Sequence, residues 1–449
     1  MGLYNYYRIS KPSEARVPEK EVIRTYKRLR SRTFWGAVAA YSLYYVCRMT
    51  LSVVKGPIID GGIMTAGQLG VIGSAMLLVY AVGKFVNGFI ADYCNIKRFM
   101  ATGLLASAAV NLILGCLGLL HTAISTPVIF IAFALLWGVN GWAQSMGSPP
   151  GVISLSRWFP LSARGSYYSL FSATPYIGKA VTFVFIGAVA AKIGWQFGFL
   201  FAALGGLVGA VVVVVFVSDN PESQGLPTVQ ELSGETPAGS DSKPTRALQK
   251  SVITHPGIWV IALSSAFVYI TQYAVSGWGV LFLQKSKAFS LEASTQIVAF
   301  SEAFGIVGTI LAGWLSDKVF KGNRVLPVII SGLLCFASLG LFLFSGGGYF
   351  TNIFYVALFS LAIGVLYCIV AGLMALDIVP RKATGAALGI VGISSYVAAG
   401  LQDIVSGLMI QHPDGGCDFT GVRWFWIAAC ILAIVLPVIG WGKFKNKID

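Results

Sequence analysis

Charge is what this sequence has least of. Of 449 residues only 11% are charged, against 56% that are apolar. A soluble protein carries roughly a quarter charged residues. Eighteen acids and 32 bases cannot cover so large a chain with a water-soluble surface. That excludes an ordinary soluble enzyme, a secreted disulfide scaffold and a disordered protein. Histidine is scarce too, with three copies. The seven cysteines (Cys47, Cys94, Cys116, Cys335, Cys368, Cys417 and Cys430) form no C-x-x-C pair. Most lie in apolar runs and read as small hydrophobes, so no metal site and no disulfide framework is expected. No Walker motif, H-E-x-x-H, G-x-S-x-G or dinucleotide fingerprint occurs. Neither catalysis nor a cofactor is expected, and any transport must draw on an existing gradient. Residues 1–33 hold nine Lys/Arg and lead into a full-length apolar run without a small-residue cleavage pattern, so no cleavable signal peptide is expected.

Apolar runs are what is there, and the mean hydropathy is +0.75. A spanning helix needs about 20 apolar residues. Twelve runs qualify: 34–54, 68–91, 99–120, 126–147, 165–191, 195–217, 257–283, 293–315, 326–345, 352–376, 384–410 and 424–442. The fold class expected is an all-α membrane protein with two six-helix halves, 34–218 and 256–443. A basic arm (1–33), a solvated Pro/Gly/Ser-rich linker (219–255) and a short tail (444–449) complete the chain. The net charge of +14 is distributed unevenly. Lys97, Arg98, Arg157, Arg164, Lys318, Lys321, Arg324, Arg381 and Lys382 fall on one side with the arm and the tail. The opposite loops hold few bases: Lys55, Lys192, Lys285, Lys287 and Arg423. That asymmetry places both termini in the cytoplasm, and it explains the basicity without nucleic acid.

The halves repeat. GFIADYCNIKR (88–98) follows span 2 and GWLSDKVFKGNR (313–324) follows span 8, with Asp92 and Asp317 225 residues apart. Gly88 and Gly313 are expected to let helices approach closely. Asp92, Asp317 and Arg324 are candidates for a gate at the cytoplasmic helix ends. A duplicated six-span unit with matching loop motifs is the plan of many secondary transporters.

An ionisable group inside a bilayer is a functional candidate by default. Six occur: Arg48, Lys84, Lys179, Glu302, Asp377 and Asp403. Tyr41, Tyr44, Tyr45 and Arg48 share one helical face, where phenols and a guanidinium can cradle an oxyanion. Lys84 lies one turn beyond Tyr80. Lys179 follows Pro175 and Gly178, and reads either as a ligand or as an ion-pair partner of Asp403 or Glu302. Asp377 reads as a helix cap near Arg381. Buried bases against buried acids point to an anionic substrate, or to charge pairs that rearrange.

With these residues in view, the chain resembles the organophosphate:phosphate antiporter family of the major facilitator superfamily. The resemblance runs over nearly the whole length. It rests on TYKRLRSRTFWG (25–36), YSLYYVCRM (41–49), VYAVGKFVNGFIAD (79–92), GVNGWAQSMGSPP (138–150), RWFP with ARGSYYS (157–169), GWGVLFLQ (277–284), the 313–324 motif and ALDIVPRKATGAALGIVGISSYVAAG (375–400). It implies exchange of a phosphate ester, such as a sugar phosphate or glycerol phosphate, for inorganic phosphate by a rocker-switch motion. The expected carrier is a monomer in the bacterial inner membrane. It implies binding roles for Arg48 and Lys84, with Tyr45, Tyr80, Tyr269 and Tyr396 around the phosphoryl group. Departures from the family bear on specificity. Gln272 stands where many members carry a second arginine, and Gly277 where they carry an acid. Pro175 replaces a histidine of glycerol-3-phosphate carriers, and Asp403 falls near a lysine of hexose-phosphate carriers. Lys179 could supply the missing positive charge, and Glu302 and Asp403 could serve coupling or ion pairing. Two other functions fit the same fold: a hexose-phosphate sensor, or a proton-coupled carrier of another organic anion.

Overall fold

The computed structural model describes residues 3–234, 252–321, 323–379 and 384–444. Arg381, Lys382, Lys445, Lys447 and residues 235–251 of the linker lie outside the described residues. Twelve helices are long and apolar enough to cross a membrane. They are α1 (Glu19–Asp60), α2 (Ala66–Asp92), α3 (Ile96–Leu119), α4 (Thr126–Trp158), α5 (Thr174–Ile193), α6 (Trp195–Phe216), α7 (Pro256–Lys287), α8 (Leu291–Trp314), α9 (Val325–Phe344), α10 (Tyr349–Leu373), α11 (Ala387–Ile410) and α12 (Thr420–Trp441). All twelve expected spans are present, and the largest differences lie in spans 1 and 5. Helix α1 begins well before the apolar run and continues to Asp60, because Lys55 is inside it and not in a loop. Span 5 is interrupted at Ser172 and Ala173, just before Pro175, which has no N–H to continue a helix.

Local chemistry sets the ends. Thr65 accepts from the Gln68 N–H, and the Gln68 side chain accepts from the Thr65 N–H, closing a capping box before α2. Asn95 caps α3 through the Arg98 N–H, and Gly194 turns the chain into α6 at φ +114°. Within the halves, α2 packs on α4 and α3 on α6, while α8 packs on α10 and α9 on α12. Gly141 lies against the Met76 backbone, and Gly308 against that of Leu361. The two contacts fall on corresponding helix pairs, with the glycine on the fourth helix of the first half and on the second helix of the other, since close helix approach in a membrane needs small residues. Exposed apolar side chains such as Phe85, Leu135, Val211, Ile310 and Leu408 ring the outside, as a lipid-facing surface requires.

The halves meet along α2–α11, α5–α8 and α1–α7. Contact is tight at one end. Gly67, Gly70 and Gly73 abut Gln411, Asp403 and Gly407, and Gly187 abuts Thr295. Lys285 pairs with Asp60 across the same rim. At the other end, where α1 starts and α12 finishes, a Cβ placed on Gly88, Gly313, Gly389 or Gly392 would meet nothing within 4 Å. The close approach expected of Gly88 and Gly313 is therefore not made in this conformation. The halves are splayed at that end, and the cavity between them opens there.

That end is braced by a residue assigned above to the linker. Asp219 is 3% exposed and pairs with Arg157 at 2.5 Å. It also accepts from the N–H groups of Ser10 and Ile96 at 2.7 and 3.0 Å. Residues 219–226 are thus docked on the arm, with Ser13 N–H donating to the Glu222 carbonyl and Val17 N–H to that of Gly225. A buried carboxylate with three donors cannot belong to a solvated linker.

Candidate functional site

Between the halves lies a cavity of about 180 Å³. Both halves line it. Tyr41, Tyr45, Lys84, Tyr176 and Lys179 come from one, Tyr269, Gln272, Tyr273, Tyr367 and Tyr396 from the other.

Arg48, 3% exposed, stands behind the Tyr45 wall of that cavity and lines a smaller adjoining pocket with Lys55, Tyr273 and Asp403. The guanidinium carbon stands 4.8 Å from the Tyr45 ring centre and 4.1 Å from that of Tyr80. Nε donates to Gln144 Oε1 at 3.2 Å and Nη1 to the Tyr45 hydroxyl at 3.3 Å. Nη2 has no partner, and neither has the Tyr80 hydroxyl. Behind Gln144 a buried polar chain fixes its orientation. Gln144 Nε2 donates to Ser107 Oγ (2.7 Å), Ser107 to Asn140 Oδ1 (2.5 Å), and Asn140 Nδ2 to the Cys47 carbonyl (3.1 Å). Of the residues proposed from the shared face, Tyr44 does not join the cradle. Its hydroxyl donates to the Met100 carbonyl at 2.7 Å, which turns the ring toward α3.

Lys84 projects from the α2 wall, its ammonium 5.0 Å from the ring centre of Tyr396. Tyr396 meets Tyr80 at 4.7 Å and Tyr269 at 5.2 Å between ring centres. Tyr269 donates to the Tyr367 hydroxyl at 2.8 Å. Tyr45, Tyr80, Tyr269, Tyr396, Arg48 and Lys84 are thus brought to one place. Gln272 faces the same space. Among the described residues, no carboxylate pairs with Arg48 or Lys84.

The other buried charges are matched. Lys179 Nζ lies 2.6 Å from Glu302 Oε2, with both side chains buried. Lys179 therefore lines the cavity with its charge already compensated, and does not stand in simply for an arginine at Gln272. Asp403 takes a hydrogen bond from Trp278 Nε1 at 2.7 Å. Lys55, 1% exposed, lies 3.9 Å from the same oxygen and 3.3 Å from the centre of the Trp278 ring. A Cβ on Gly277 would stand 3.5 Å from that oxygen. The acid missing from position 277 is thus replaced in space by one from α11. Lys55 corrects the loop assignment. One charge in an otherwise small and apolar run hid a buried base.

At the splayed end, Arg324 Nε donates to Asp377 Oδ2 at 2.7 Å and Nη1 to Ser316 Oγ at 2.5 Å. Asp377 is therefore the partner of Arg324. Asp92 is exposed, and Arg157 reaches only its carbonyl, at 3.4 Å. Asp317 falls in a π-helical turn, Leu315–Val319, and its side chain lies outside what is described. Sequence reasoning missed Lys55, Gln144, Asp219, Tyr273 and Tyr367. Gln144 stood inside a quoted motif, but its partner Arg48 lies 96 residues away on another helix, which left no local signal.

Residues 37–402 match the Major Facilitator Superfamily. The chain is similar to the glycerol-3-phosphate transporter of Bacillus subtilis (strain 168), 29% identical over 97% of each chain. It is 29% identical to a probable hexose phosphate transport protein of Chlamydia pneumoniae, over 96% of this chain and 95% of the other. It is also 29% identical to the membrane sensor protein UhpC of Salmonella typhimurium (strain LT2), over 85% of this chain and 86% of that one.

Proposed function

This chain belongs to the Major Facilitator Superfamily, and on that premise we propose that it exchanges a phosphorylated small organic molecule for inorganic phosphate by alternating access. One observation carries the reading: among the described residues Lys84, in the cavity lining, and Arg48, just behind its Tyr45 wall, have no carboxylate partner, while Lys55 and Lys179 are matched. A phosphate monoester carries about −1.5 to −2 at neutral pH and has three acceptor oxygens. It fits two unmatched cations. The free Nη2 of Arg48 and the surrounding phenols supply donors. The similarity to carriers named for glycerol-3-phosphate and hexose phosphate supports the same class of substrate.

The carrier works as a monomer in the bacterial inner membrane, with both termini in the cytoplasm. The splayed end is then the cytoplasmic one, and the two six-helix halves rock about the cavity. Anion binding between the halves lowers the repulsion of Arg48 and Lys84 and lets that end close. Asp92, Asp317 and Arg324, with Asp377, are the charges that meet or part there.

Proteoliposomes loaded with inorganic phosphate and offered labelled phosphate test this. The expected result is rapid exchange, inhibited by one sugar or glycerol phosphate. Folded protein without exchange would refute it. Flux that depends on pH but not on internal phosphate would instead assign a proton-coupled carrier of another anion.

A second reading is a sensor, favoured by the similarity to UhpC and by Gln272 in place of a cation. A cell in which this protein is the sole candidate carrier separates the two: a carrier accumulates the ester, a sensor does not.

A further inference from the structure

A second cavity, of about 430 Å³, opens at the surface between the start of α1, the end of α4 and the segment Leu161–Phe171. It shares no lining residue with the central cavity. Its wall is aromatic: Phe34 meets Phe159 and Tyr167 at 5.8 and 5.0 Å between ring centres, and Trp35 at the rim is 55% exposed. One charged side chain enters it. The Arg30 guanidinium carbon lies 5.2 Å from the ring centres of both Tyr26 and Phe159.

The neighbouring arginines spend their donors on the protein. Arg32 donates to the Val215 carbonyl, Arg157 pairs with Asp219, and Arg164 donates to the carbonyls of Phe159 and Ser156. Arg30 has no acceptor and no carboxylate among the described residues. Two rings hold the fork in place, and its in-plane N–H groups remain for a ligand. Arg24, Lys27, Arg28 and Arg32 are exposed along the same stretch of α1, all within three turns of the first apolar residue of the span.

We propose that this groove binds an acidic phospholipid, with Arg30 holding the headgroup phosphate and the Phe34–Trp35 edge carrying the first part of an acyl chain. Charge complementarity selects the headgroup. A free phosphate would have no use for the aromatic wall, whereas a lipid occupies both parts. An exposed tryptophan beside a basic stretch, at the level where the apolar run begins, is what a membrane interface favours.

The test uses the full-length protein in nanodiscs containing either brominated phosphatidylglycerol or brominated phosphatidylcholine. The Trp35 signal is the difference between wild type and Trp35→Phe. Phosphatidylglycerol is expected to quench it at about fivefold lower mole fraction, the preference one arginine gives near an anionic surface. Arg30→Gln should abolish the preference, and Arg24→Gln, which removes an equal charge outside the groove, should retain it. Equal quenching by the two lipids overturns the proposal. So does equal loss in both variants, which would mean surface charge alone. Displacement by millimolar inorganic phosphate would assign a free-anion site instead. If Arg30→Gln does not fold, the headgroup comparison on the wild-type chain decides.

Discussion

Lys179 of α5 and Glu302 of α8 meet at 2.6 Å across the boundary between the two halves, beside the cavity that Lys179 lines. The pair keeps a third cation from acting on an anion there. Glu302→Gln removes the counter-charge while keeping the shape. Phosphate affinity is then expected to rise about tenfold, with exchange slowed because the anion is released less readily. Equilibrium binding and exchange rates on the same preparation check this. Unchanged affinity would show that Lys179 does not reach the anion.

Lys55 and Asp403 form the other buried pair between the halves. Removing one partner of such a pair leaves an unmatched charge in an apolar surrounding, at a cost of about 3–5 kcal/mol. Asp403→Asn should therefore lower thermal stability sharply, and Lys55→Met with Asp403→Asn should recover most of it. A double-mutant cycle on Tm in detergent measures the coupling. Additive effects of the two changes would mean that the ion pair contributes nothing.

The architecture was legible because bilayer thickness imposes a length on every apolar run, and because Asp92 and Asp317 mark the repeat. Arg48, Lys84, Tyr45, Tyr80, Tyr269 and Tyr396 were legible as a group, since charge in an apolar run is costly and their spacing matched a known family. Pairing was not legible. Lys55 with Asp403 and Arg324 with Asp377 join residues 348 and 53 positions apart. Which charge meets which depends on helix rotation and on small residues such as Gly73 and Gly277, which no local pattern encodes. Asp219 was misread for the opposite reason. The turn-rich DNPES segment has the composition of a loop whether or not the loop is docked.

Asp219 ties the arm, the start of α3 and the end of α4 together. Asp219→Ala leaves Arg157 without its carboxylate and uncaps the Ile96 N–H. A loss of about 2–4 kcal/mol is expected, and the arm is released locally first. Trypsin should then cut after Arg8 and Arg16 well before the membrane helices are lost. Cleavage at the wild-type rate would place the strength of the brace elsewhere, in the carbonyl contacts of the 222–225 turn.

Gln272 lines the cavity from the half opposite Arg48 and Lys84, at the position where the family resemblance implies a second arginine. Gln272→Arg adds a fork of donors with a full charge to a site that already holds two unmatched cations. Without ligand, three like charges repel, and the splayed end should open further. With a phosphate dianion they close on it, so affinity should rise at least tenfold. Arg48→Lys provides the opposing control. A lysine keeps the charge but loses the planar fork that binds Gln144, Tyr45 and one further acceptor together, so exchange should fall at least tenfold with the fold retained. The two variants read different properties, charge in the first and geometry in the second. If Gln272→Arg tightens binding and Arg48→Lys is silent, net charge alone recognises the anion. If Arg48→Lys abolishes exchange even in the Gln272→Arg background, the oriented guanidinium is what the cavity is built around.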